Sequence, residues 1–225
     1  MPALIFVLIG LIAIGGVAIS YYLKQQRIKA LAQSAQRLGL SFSAADTVGC
    51  LGFPFALLQK GDGRGTENVM WGTWQGIPLT EFDYWYYEES TDSQGRRSRS
   101  YSRFSCAVTE IDAACSALSL ARENLFTRLA DHVGLHDIEF ESDDFNHAFN
   151  VKAGDRKFAN DLIDARMMTW LLTVDGRFSF EAAGRWILAS TRRLGATELD
   201  PLLESVRGFR EHVPRVVYEL YPASG

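Results

Sequence analysis

Apolar residues fill the start of the chain: from Ala3 to Leu23 no position carries a formal charge. A helix over that stretch spans roughly 32 Å, about one hydrocarbon core. It has no polar face, unlike a core helix of a globular domain. Tyr21 and Tyr22 stand where an interfacial aromatic belt would sit. Lys24, Arg27, Lys29 and Arg37 follow before the first acid, Asp46, while only Met1-Pro2 precede. The pattern predicts a single transmembrane anchor over 1–23 and a basic juxtamembrane helix over 24–39, stopped by Gly39. The positive-inside rule then predicts a single-pass protein of the cell membrane, N-terminus out and C-terminal domain cytoplasmic. A cleaved signal competes, because Ala18-Ile19-Ser20 resembles a small-x-small cleavage site; it would make the remainder extracytoplasmic. Gly16 and Ser20 form a small-xxx-small pair of the kind that lets two membrane helices approach.

Beyond residue 39 the period changes. Residues 40–66 read as a connector rich in small residues, with a turn at Gly61–Gly65. Two apolar-aromatic runs then flank Gln75-Gly76, predicting a β-hairpin. In the second run Phe82, Tyr84 and Tyr86 share one face, and Asp83, Trp85 and Tyr87 share the other. A polar tip over 88–103 precedes a returning strand over 104–111 and a short strand at 116–120. Residues 122–134 have helical spacing at Leu125, Leu129 and Val133. Strands at 136–142 and 148–154, a pair of helices, and a hairpin over 177–191 turning at Ala183-Gly184 come next. A closing helix starts at Asp200-Pro201, buries Leu202, Val206, Phe209 and Val213, and ends at Pro214. Hairpins interleaved with helices predict an α+β domain over 67–225, a mainly antiparallel sheet with packed helices.

Net charge is -4, so no overall positive field favours nucleic acid. Cys50, Cys106 and Cys115 are too few and oddly numbered for a disulfide framework, and no CxxC spacing suggests a metal or a redox pair. His132 and His136 lie four apart, but Val133 occupies the position where a zinc-protease motif needs glutamate. Asp143, Asp144 and His147 make a small acid/base group. "RRSRSYSR" is the densest basic cluster; Arg96, Arg97, Arg99 and Arg103 are candidate contacts for anionic lipid or a protein partner. Its serines, Ser98, Ser100 and Ser102, sit where a basic-directed kinase could act.

The stretch "IEFESDDFNHAFNVKAGDRKFANDLIDARMMTWLLTVDGRFSFEAAGRWILAS", residues 138–190, resembles a bacterial family of membrane-anchored proteins defined only as a domain of unknown function. Members often have proline where Asp164-Ala165 opens the Met-containing helix. The resemblance implies a fold and a location, and no activity. Phe145, Phe149, Met167, Met168, Trp170 and Leu171 read as core. The expected role is therefore binding or scaffolding by a cytoplasmic domain, with a bilayer contact through 3–23 and no cofactor, metal or nucleic acid. The alternative is a membrane-tethered hydrolase using Asp144 and His147.

Overall fold

The computed structural model describes the backbone of residues 2–122 and 134–223 and the side chains of 14–122 and 134–223. The organising element is β4 (Arg97–Arg122), a strand of 26 residues. Its first half pairs antiparallel with β3 (Ile77–Thr91), which pairs with β2 (Gly63–Trp74), which pairs with β1 (Ser41–Ala45) at the edge. Its last residues pair with β6 (Phe149–Ala153), and β6 with β5 (His136–Ile138). The opposite edge of β4 takes β7 (Ser179–Arg192).

Several expected turns are absent because strands run through them. The 88–103 tip is hairpin: β3 and β4 stay paired out to Thr91 and Arg97, with a tight turn over Asp92–Arg96. Ala183-Gly184 is no hairpin turn either. Gly184, at φ 56, is an irregularity within one strand, where the β4 pairing also shifts. An extra residue in a strand swaps its faces. Accordingly Ala182 packs with the helices and Ala183 on the opposite side, whereas further along Leu188 lies opposite and Ala189 with the helices. The 40–66 segment supplies β1, two short 3-10 turns (Cys50–Gly52 and Leu57–Gln59) and the start of β2. The Gln75-Gly76 turn forms as expected, both residues at positive φ. The helix expected over 122–134 lies, apart from its ends, outside the described residues.

One sheet face carries α1 (Pro2–Leu38) and the C-terminal helices; the other is covered by the 50–58 segment. Between the sheet strands lie α2 (Asp143–Ala148), α3 (Arg156–Leu162) and α4 (Ala165–Thr173), opened by side-chain caps from Ser142, Asp155 and Asp164. The chain closes with α5 (Asp200–His212) and α6 (Arg215–Leu220). Phe145, Phe149, Met167 and Leu171 are buried in the helix-side core, with Met168 and Trp170 against it. Cys50, Cys106 and Cys115 are free and buried.

Among the described residues no helix is long and apolar enough to cross a membrane. This overturns the expected transmembrane helix over 1–23, and with it the single-pass cell-membrane placement. α1 does not end where the uncharged run does, at Leu23. The same helix then continues without a break as part of the domain. Leu31 and Ala35 are buried against the sheet, and Ser34 Oγ donates to the Ala196 carbonyl at 2.7 Å. Ahead of that docked half, Ile14, Val17, Ile19, Tyr21, Tyr22 and Leu23 are exposed.

Candidate functional site

The docked half of α1 sits over a buried group of charges. Arg27 forks onto Asp83 at 2.7 and 2.6 Å and donates to the Leu194 carbonyl at 2.8 Å. Asn68 donates to the same carboxylate at 2.9 Å from an irregular turn of β2, at φ 57. Burial works against the Arg27 charge, but Asp83 more than offsets it, so the guanidinium pKa is raised. Next along β3, Glu81 is 1% exposed and neither carboxylate oxygen has a hydrogen-bond partner. Burial, then the neighbouring Asp83 charge, pushes its pKa well up.

Beyond α1 the same sheet face is open and aromatic. Trp85 and Tyr87 follow Asp83 on β3 and lie nearly parallel, interplanar angle 13° with centroids 6.5 Å apart. Their strand partners on β2 are Gly65 and Gly63. A Cβ on Gly65 would sit 2.8 Å from the Trp85 ring, and one on Gly63 would enter the Tyr87 ring. The rings therefore lie flat on side-chain-free backbone, an aromatic cover over strand glycines. Tyr101 of β4 stands tilted against both, at 6.1 and 5.4 Å. Arg99 lies 4.5 Å over Tyr87 and is held by Glu89; Arg103 lies 5.5 Å from the Tyr101 centroid. Arg193 follows β7, its N–H donating to the Arg103 carbonyl at 3.1 Å. Burial first, then the like charge of Arg27, lowers the Arg193 pKa.

Of the basic residues singled out in the sequence, Arg99 and Arg103 belong to this face. Arg96 is engaged in the hairpin turn with Asp92 at 2.8 Å, and Arg97 is exposed beside it. Asp144 and His147 do not share a cleft. Both are exposed on α2, and only His147 lines the roughly 350 Å³ depression formed with Asp137, Asn146 and Asn150. His132 lies outside the described residues. Among the described residues no group of three His, Cys, Asp or Glu side chains could hold a metal ion.

Two acids escaped the sequence reading. Glu81 is one; the other is Glu181, buried on β7, which accepts from the backbone N–H groups of Ala56 and Leu57 at 2.7 and 3.0 Å. Burial outweighs those bonds and pushes its pKa up to about 7. It lines a cavity of about 230 Å³ with Phe55, Gln59 and Leu118. A signal existed: each acid alternates with an apolar residue that proves buried, Glu81 with Leu79 and Glu181 with Ala183.

No protein-family model matches the chain, and no curated protein sequence matches it. Among solved structures it is similar to the crystal structure of the mycobacterial trehalose monomycolate transport factor A, TtfA. The TM-score is 0.64 at 12% identity, covering 88% of this chain and 97% of that one. The two share a fold.

Proposed function

We propose that the chain is a non-catalytic binding protein that holds the polar headgroup of a lipid on the open face of the β3–β4 hairpin. The observation that carries this reading is the Trp85–Tyr87–Tyr101 surface with Arg99 and Arg103 lying against it, left uncovered where α1 ends its contact. Aromatic rings with an apolar body and a polar tip, set among guanidiniums, suit a ligand that is part hydroxylated and part anionic. Support also comes from the structural neighbour, whose name ties that protein to transport of trehalose monomycolate. The acid/base pair of the alternative reading is not gathered into a site here: Asp144 and His147 are both exposed, and Asp144 does not line the depression that His147 lines.

The test is calorimetric titration of the full chain with short-chain anionic and zwitterionic lipids below their critical micelle concentrations. Saturable, salt-sensitive binding of the anionic lipid, weakened about tenfold or more in Arg99→Ala/Arg103→Ala, is expected. Equal binding by that variant removes the hairpin from the account, and absence of lipid binding leaves a protein partner as the occupant of this face.

A further inference from the structure

The open face is not uniform. Tyr87 is capped by the Arg99 guanidinium, which Glu89 neutralises. Trp85, one step nearer α1, is half-buried and has ring contacts only to Tyr87 and Tyr101 among the described residues. One indole face rests on Gly65, so stacking from outside falls to the other. Directly across the ladder from Trp85 is Arg103, and Arg193 is its backbone neighbour.

Charge at this inner end is unbalanced. Asp83 is taken by Arg27 and Asn68, and Glu67 by Lys24 at 2.9 Å. Arg103 and Arg193 have no carboxylate within ion-pair distance among the described residues. Arg27 and Arg103 both repel Arg193, while Asp83 and Glu67, each already paired to another cation, attract it. An anion with several acceptor oxygens relieves that repulsion, and guanidinium forks match phosphate geometry.

Resting on the headgroup reading above, we infer that this inner end takes a phosphorylated sugar or cyclitol ring, the ring stacked on Trp85 and its phosphate between Arg103 and Arg193. The C–H face of such a ring suits the electron-rich indole face, which attracts partial positive charge. Tyr101, about half exposed, stands beside the Trp85 ring. A phosphate without a ring leaves Trp85 unused, and a neutral sugar leaves the two guanidiniums unpaired.

Calorimetry on the full chain separates these cases with short-chain phosphatidylinositol, short-chain phosphatidylglycerol, myo-inositol 1-phosphate, trehalose and AMP. Phosphatidylinositol is expected to bind at least tenfold more tightly than phosphatidylglycerol. Trp85→Ala and Arg193→Gln should each cost at least tenfold with phosphatidylinositol, and Trp85→Ala should cost phosphatidylglycerol several-fold less than it costs phosphatidylinositol. Thermal scans check that both variants stay folded; Trp85→Phe, which keeps a ring, should recover part of the loss. Equal binding of the two lipids overturns the ring subsite while the headgroup reading survives. Inositol phosphate binding as tightly as phosphatidylinositol supports the ring-phosphate chemistry and assigns it to a free ligand, overturning the lipid reading. Tightest binding by AMP overturns the sugar ring, tightest binding by trehalose overturns the phosphate, and silence from every ligand overturns both readings.

Discussion

The two faces of the β3–β4 hairpin carry the same kind of residue and have opposite fates. Phe82, Tyr84, Tyr86 and Phe104 point to one side and pack beneath the 50–58 segment with Phe53 and Phe55. Trp85, Tyr87 and Tyr101 point to the other and have no such cover. Both sets alternate at period two, so the strand pattern alone does not rank them. Coverage does: a segment seated on one face turns its aromatics into core, and the end of the α1 contact on the other leaves a surface. A structural aromatic is defined by what lies on top of it.

Breaking the covered face has the largest expected effect. Phe82→Ala should lower stability by about 3–5 kcal/mol, seen as a large drop in the calorimetric midpoint. Arg27→Ala belongs in the same range, about 3–5 kcal/mol, because it leaves Asp83 buried without its cation. The reverse change is expected one position away. Glu81→Met should raise stability by about 1–3 kcal/mol in denaturant titration, since an unpartnered buried carboxyl is replaced by an apolar side chain.

A smaller effect follows from pH. Glu181 has its folded pKa raised to about 7 and Glu81 is raised too, both by burial first, so folding favours the protonated form of each. Their contribution is fully present below the ordinary glutamate pKa and is lost as pH rises through the folded value. Between pH 4.5 and 7 Glu181 should therefore make stability fall with rising pH, by at most about 1.4 kcal/mol per pH unit. Chemical denaturation across that window measures the slope, and Glu181→Gln should flatten it. The smallest effect belongs to the open face: Tyr101→Ala should change stability by no more than about 0.5 kcal/mol while weakening ligand binding.

Much of the architecture was legible. The Gln75-Gly76 hairpin, the α4 core residues and the closing helix follow from turn chemistry and period. Strand lengths were not, because Glu88, Glu89, Arg97 and Arg99 look like loop and are instead solvent-facing ladder positions held by backbone pairing. The start of the chain misled for a related reason. A long uncharged run suggests a bilayer, yet Arg27 and Leu31 tie the continuing helix to the sheet, and that tie is set by Asp83, far along the chain. The open face was half legible: Arg99 and Arg103 stood out by charge, and Asp83, Trp85 and Tyr87 by alternation. Arg193 had no local signal, because β7 brings it alongside Arg103 only through the sheet.

The central claim, that the ligand meets the Trp85 face and not the covered one, is tested most directly by fluorine NMR of the chain labelled with 5-fluorotryptophan. Its 5 tryptophans give separate resonances, and Trp85→Phe assigns the one that matters. Titration with short-chain phosphatidylinositol below micelle formation should move the Trp85 signal and leave those of Trp71, Trp74, Trp170 and Trp186 in place. A stationary Trp85 resonance at saturating lipid, with binding seen elsewhere or nowhere, would contradict the account.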